Sequence, residues 1–291
     1  MSQAVATTKM RQIRKDNPVA ALIGKTLLYI VLIGVSIFTL IPFVWMISSS
    51  LKLDREVFAY PMKWLPETFR WENYLLIWQK VPMLTYFKNT AFIAIVVTCL
   101  QTLTSSFAAY AFAKLNFKGR DVLFLAYIAT IAVPWQAYML PQFIMMRSMG
   151  LYDTLWAMVV LQAFSAFGVF LMRQFYQGVP TELCEAARID GLSEYGIWAR
   201  IMLPLSKAAI ATLVIFTFVG TWNDYMGPMI YLTRDFNKTI QVGLRRFIQE
   251  NSSDYHLIMA ASLVSLLPVS VVFLCLQKYF IEGIATSGLK G

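Results

Sequence analysis

The sequence predicts an all-α polytopic membrane protein, with six transmembrane helices and a cytoplasmic helix–turn–helix loop between spans four and five. Three observations carry this. Hydrophobic residues make up 58% of the 291 and charged residues 14%, with a mean hydropathy of +0.59, outside the usual range of a soluble domain. Apolar runs long enough to cross a hydrocarbon core of roughly 30 Å recur along the chain. The polar stretch 180–204, PTELCEAARIDGLSEYGIWARIMLP, interrupts the second half and carries the start and stop signals of two short helices.

In chain order, residues 1–24 are polar and basic, with Lys9, Arg11, Arg14 and Lys15, and read as a disordered cytoplasmic tail. The apolar run 27–47, within a first transmembrane segment 25–47, is too long for a signal-peptide core and reads as an uncleaved span. Gly24-Lys25-Thr26 mimics the end of a phosphate-binding loop, but Val19 stands where that motif needs its first glycine, so the match is chance. Residues 48–88 form an external loop with interfacial Trp64, Trp71 and Trp78. Five further helices are expected over 89–277. The second span, 89–113, carries no charge. Loop 114–121 is short and basic, hence cytoplasmic. The third, 122–146, contains Pro134 and Pro141, which bend membrane helices. The fourth covers 154–172, the fifth 208–232, and the sixth 257–277 with Pro268 inside it. Residues 278–291 complete the chain as a cytoplasmic tail. Over the whole chain Lys and Arg favour the cytoplasmic side only weakly; the tail and loop 114–121 carry the orientation.

Stretch 180–204 reads locally. Pro180 suits a first helical turn, and Glu182 and Glu185 sit near the positive end of the helix dipole. Gly191 is a natural left-handed stop, Ser193 can cap a second helix, and Pro204 ends or kinks it. An ordinary amphipathic connection between two spans would look similar. The full pattern is more specific: Glu185-Ala186-Ala187, three residues, Gly191, nine residues, Ile201, one residue, Leu203-Pro204. It resembles the cytoplasmic coupling loop of permease subunits in binding-protein-dependent ABC importers, and within them the second permease subunit of carbohydrate importers of the maltose type. Cys184 departs from the commonest pattern, where a polar or small residue precedes the glutamate.

The resemblance implies that Glu185 makes a charge-assisted contact to an ATPase subunit, with Ala186, Ala187 and Gly191 permitting close seating and Ile201, Leu203 and Pro204 completing the loop. It also implies a second, homologous permease as heterodimer partner, two ATPase subunits, an extracytoplasmic substrate-binding protein and a bacterial inner membrane with both termini cytoplasmic. The tail resembles the carbohydrate-permease C-terminus that enters the ATPase dimer, which would bring Ser287 and Gly288 near it. This chain has no phosphate loop of its own, and the resemblance implies that it carries no cofactor, with ATP and Mg bound by the partner ATPase.

The second informative stretch is 220–232, GTWNDYMGPMIYL, which resembles the W-N-D/E signature of carbohydrate permeases. Asp224 is the only acid well inside an apolar run, and such residues face a cavity or a partner. Trp222, Asn223 and Tyr225 add the stacking and hydrogen-bonding groups that a sugar needs. Alternatively, Asp224 caps a helix break at Gly227-Pro228. Trp135, Gln136 and Tyr138 are a weaker site for substrate, with helix packing the plainer reading. Arg245, Arg246 and Glu250 offer charges to a binding protein on the external loop.

Several classes are disfavoured. No catalytic constellation or metal-ligand spacing is present, and the single histidine, His256, reads as an interfacial polar residue. Cys99, Cys184 and Cys275 are too dispersed for a disulfide framework. The net charge of +9 fits headgroups and the cytoplasmic face, not nucleic acid. An ion-coupled secondary transporter is the main rival, but paired intramembrane ionisable residues and internal repeats are not apparent. An ABC importer of a non-sugar solute is the closer alternative.

Overall fold

The computed structural model describes residues 18–248 and 254–288; Lys9, Arg11, Arg14, Lys15 and Glu250 lie outside the described residues. The described chain is helical, with no strand. Helix α1 (Pro18–Ser50) leads through the short α2 (Asp54–Val57) and α3 (Asn73–Lys80) to α4 (Met83–Lys114). Then come α5 (Arg120–Ala129), α6 (Trp135–Ser148), α7 (Leu155–Gln162) and α8 (Ala166–Gln177). The polar stretch holds α9 (Glu182–Ile189), α10 (Glu194–Ile197) and α11 (Leu203–Leu205). It is followed by α12 (Lys207–Trp222), α13 (Met226–Tyr231), α14 (Ile240–Leu244) and α15 (Tyr255–Gly288).

Among the described residues, three helices are individually long and apolar enough to cross a membrane: Leu22–Ser50, Met83–Lys114 and Tyr255–Tyr279. The first is apolar all round and exposed along most of its length, the pattern of a helix solvated by lipid or a partner. The last continues to Gly288, so helix replaces the expected tail after Gln277, and Ser287 and Gly288 fall in its last turn.

The other expected spans are broken. α5 and α6 meet at 98°, because Pro134 holds itself and Val133 in extended backbone. This is a break, sharper than the proline bend expected within 122–146. Pro141, by contrast, is carried inside α6. α7 and α8 bend by 42°, and Ser165 caps α8 by accepting from the Gly168 N–H at 3.0 Å. The fifth apolar run ends as α12 at Trp222 and restarts as α13.

α4 is the central post, with α8 and α12 packed along it; α15 packs on α12, and α1 on α15. Gly168 makes the α4–α8 approach possible, since a Cβ there would collide with Ser105. Buried residues fall into three groups. One gathers Tyr86, Trp222, Phe247 and Leu257 around α3, α4 and α15. A second joins Ile93 and Val97 to Met146, Met158 and Tyr231. The third packs Tyr110, Met172, Tyr176 and Leu213 against Cys184, Ala187, Ile197 and Met202 of the polar stretch.

Candidate functional site

The polar stretch folds as a helical hairpin. α9 places Glu182 and Glu185 in its first turn, where the exposed N–H groups favour acids. Gly191 takes φ +82°. The Leu192 N–H reaches the Ala187 carbonyl at 2.9 Å and the Gly191 N–H the Arg188 carbonyl at 3.1 Å, a Schellman closure that needs a left-handed residue at that point. Ser193 caps the next helix by accepting from the Gly196 N–H at 3.3 Å. Pro204 cannot donate to Arg200, and the turn before it widens, so the Leu203 N–H bonds to the Trp198 carbonyl. The second arm, Glu194–Leu205, then meets α12 at 83°.

Two sets of contacts fix this hairpin to the bundle. Cys184, Ala187, Ile197 and Met202 are buried in the third core group. Polar ties add direction: Arg188 donates to both Glu194 oxygens, Nε to Oε1 at 2.6 Å and a terminal nitrogen to Oε2 at 3.2 Å. The Tyr110 hydroxyl of α4 donates to the same carboxylate, and Lys114 Nζ donates to the Val179 carbonyl at 2.5 Å. The Arg188 guanidinium holds the Glu194 carboxyl below its ordinary range, against burial, with help from Tyr110.

The opposite face of α9 is open. Glu182, Glu185, Ala186 and Asp190 are exposed, as are Leu183 and Ile189, the latter at 87%. Ala187 corrects its expectation. It points into this chain's own core, so its small size serves the hairpin's seat on the bundle. Leu183 and Ile189, which sequence reasoning passed over, flank Ala186 on the open face; their apolar character on a polar helix was the available signal. Ile201 and Leu203 are half-buried and Pro204 is exposed.

Of the four residues expected along the pathway, the structure brings only Asp224 to a cavity. Trp222 corrects its expectation: it is 1% exposed, stacks on Phe218 and meets Phe87 edge-on. Its indole N–H donates to the Ser265 carbonyl at 2.9 Å. It is core because α12 turns that face toward α15. Asn223 is exposed and accepts from Gln241 Nε2 at 3.1 Å. Tyr225 is half-buried and away from the cavity lining.

The cavity, about 320 Å³, lies between α6, α7 and α13, with Gln101 of α4 at its wall. Trp135 and Tyr138 line it, whereas Gln136 is exposed elsewhere, so the weaker sequence candidate supplies two walls. Asp224 also caps α13, its Oδ1 accepting from the Gly227 N–H at 3.1 Å. The capping and cavity readings therefore coexist. Gly227 must stay bare, since a Cβ would lie 2.6 Å from Asp224 Oδ2. Gln101, Gln142 and Gln162 were missed; three amides inside apolar runs were the signal.

At the other end, Asp153 at φ +60° gathers the segment after α13. It accepts from the Thr233 and Arg234 N–H groups at 2.8 and 3.0 Å, from the Arg234 guanidinium and from Asn237. Burial pushes this carboxyl up, but the Arg234 side chain and the backbone donors outweigh it and hold it at about 2. His256 sits beside Asp54 at 3.3 Å. Arg245 and Arg246 are exposed, the latter paired with Asp235. Among the described residues no cluster could hold a metal ion.

Residues 101–286 match the family described as binding-protein-dependent transport system inner membrane component. The chain is 34% identical over 227 residues to the arabinooligosaccharides transport system permease protein AraQ of Halalkalibacterium halodurans, covering 78% of this chain and 81% of that one. It is 30% identical over 259 residues to the lactose transport system permease protein LacG of Rhizobium radiobacter, covering 89% and 94%. Its fold is similar to a chain of a bacterial ABC transporter involved in import of the acidic polysaccharide alginate. The TM-score is 0.77 at 25% identity, with 91% of this chain and 98% of that one covered.

Proposed function

We infer that this chain, which belongs to the binding-protein-dependent transport system inner membrane component family, is a permease subunit of an ATP-driven ABC importer of carbohydrate. It forms half of the translocation pathway and couples ATPase motion to alternating access. The chain crosses a bacterial inner membrane six times with both termini cytoplasmic: Leu22–Ser50, Met83–Lys114 and the sixth helix cross singly, and the interrupted helices make up the rest. The hairpin 180–204 faces the cytoplasm. A homologous permease completes the pathway, two ATPase subunits bind ATP and Mg, and an extracytoplasmic binding protein delivers the sugar. The relatives' sugar-transport roles support the substrate class.

One observation carries the mechanism: the hairpin is anchored by its inner face and bare on its outer face. The buried Cys184, Ala187, Ile197 and Met202 make it move with α4, α8 and α12. Glu185, Ala186, Leu183 and Ile189 present a mixed acidic and apolar surface for an ATPase groove. When the ATPase subunits close around ATP, a helix seated in one of them is displaced. Its rigid attachment tilts the bundle and exchanges outward for inward access. Ser287 and Gly288, at the end of α15, reach the same ATPase pair.

The test is sugar uptake by the complete importer in proteoliposomes. Gly191→Pro breaks the left-handed closure, and Glu185→Lys reverses the charge at the groove. Each is expected to leave the subunit inserted and to lower uptake per ATP hydrolysed by about tenfold or more, Glu185→Lys through loss of a charge-assisted contact and Gly191→Pro through misplacement of the hairpin. Normal coupling in both variants contradicts the reading, and uptake by this chain without ATP favours an ion-coupled carrier.

A further inference from the structure

The relatives' printed roles include both neutral and acidic sugars, so membership of the family leaves charge selectivity open. The cavity between α6, α7 and α13 bears on it directly. Beside the Trp135 indole N–H and the Tyr138 and Tyr231 hydroxyls, its polar lining is three amides and one carboxylate: Gln101, Gln142, Gln162 and Asp224. Among the described residues, no lysine, arginine or histidine lines it.

The three amides and the carboxylate are each oriented by their neighbours. Gln162 accepts from the Thr221 hydroxyl at 3.0 Å through Oε1 and donates through Nε2 to Asp224 Oδ2 at 3.0 Å. Gln101 accepts from Thr217 at 2.5 Å and donates to the Gln162 carbonyl at 2.9 Å, tying α4 to the break after α7. Gln142 accepts from the Trp135 indole N–H at 3.0 Å, which pins that ring by its edge. The set thus offers amide N–H donors, a carboxylate acceptor and aromatic walls from Trp135, Tyr138 and Phe164. A pyranose needs those three things: donors for its ring and hydroxyl oxygens, an acceptor for its hydroxyl protons, and a flat apolar surface for its C–H face. The volume, about 320 Å³, lies at the lower end of ligand-pocket sizes, roughly 300–1,000 Å³.

Charge is the discriminating property. A uronate would bring its carboxylate beside Asp224, whose two oxygens already act as acceptors, in a wall that supplies no cation. An anion stripped of water without a counter-ion is strongly disfavoured. We propose that this cavity is a subsite for an uncharged sugar unit and excludes uronates from this half of the pathway. The proposal rests on the sugar-importer reading above and narrows its substrate class.

The experiment uses the whole importer in ATP-loaded proteoliposomes, with raffinose and lactose in one arm and oligogalacturonate in the other. ATP-driven uptake of a neutral sugar is expected, with none of the uronate. Trp135→Ala and Asp224→Asn are each expected to reduce neutral uptake by about tenfold. Trp135→Phe, which keeps an aromatic face, is expected to recover most of it. Co-purification of the ATPase subunits with each variant separates loss of binding from loss of assembly. Uronate uptake at a rate comparable to the neutral sugar overturns the proposal while leaving the importer reading intact. Unchanged neutral uptake in assembled Trp135→Ala and Asp224→Asn variants does the same. Absence of any sugar uptake in both arms overturns the importer reading and this proposal with it.

Discussion

Glu194 is where the hairpin's two arms and the central helix meet. Its carboxylate takes Arg188 from α9 and the Tyr110 hydroxyl from α4, so a push on α9 reaches α4 without passing through the loop ends alone. Tyr110 is buried, and losing its hydroxyl leaves a partly buried carboxylate one donor short. Tyr110→Phe is expected to cost about 1.5–3 kcal/mol in hairpin docking, the range for hydrogen bonds to charged groups. Glu194→Gln is expected to cost about the same, and the double variant less than the sum, because both act on one interaction. The measurement is sugar transported per ATP hydrolysed by the assembled complex. Additive effects would mean that the two side chains act separately. Gly191 and Ser193 were readable from sequence because a left-handed stop and a cap are local chemistry. The Tyr110–Glu194 tie was not, since its partners lie 84 residues apart. Trp222 was misread for a related reason: a run apolar on all sides does not tell which face meets α15.

Among the elements, the breaks matter more than the spans. α5/α6 and α7/α8 are each a pair of short helices, and α12 stops three residues before α13 resumes. Proline explains the first break and was visible in the sequence as Pro134. The other two are set by capping, Ser165 on α8 and Asp224 on α13, which single serines and acids in apolar runs signal only faintly. The free ends of these breaks line the cavity, and side chains from α4 close their exposed carbonyls: Gln101 on Gln162, Thr104 on Ala163.

A different tie joins the turn before α7 to the segment after α13, through Asp153. With its carboxyl held at about 2, below the ordinary carboxylate value of about 3.8, the stabilisation is complete above the ordinary value and is lost as pH falls through about 2. Asp153→Asn keeps the shape and removes the charge. It is expected to raise hydrogen exchange across 231–237 at neutral pH by about ten- to a hundredfold, equivalent to about 1.4–2.8 kcal/mol. Acidifying the parent protein to pH 2–3 is expected to lower the protection of the same amides relative to their intrinsic exchange rates at that pH. Exchange unchanged in the variant would show that the Arg234 pair contributes nothing to docking.

The whole molecule is a post, α4, with two kinds of site at different places along it. At Tyr110 and Lys114 it holds the hairpin; around Gln101 it borders the cavity. Composition and run lengths made the membrane class legible, and the spacing from Glu185 to Pro204 made the hairpin legible. The cavity was legible only through Asp224 and, weakly, Trp135 and Tyr138, because its walls come from four separate helices.

The proposed coupling puts the outer face of α9 in the cytoplasm under an ATPase subunit. Labelling of Ile189→Cys by a membrane-impermeant maleimide tests it, with the exposed Cys99 and Cys275 replaced by serine. Labelling is expected only from the cytoplasmic side of the membrane, with protection of the thiol once the ATPase subunits are bound. Labelling from outside intact cells, or equal labelling with and without the ATPase, would contradict it.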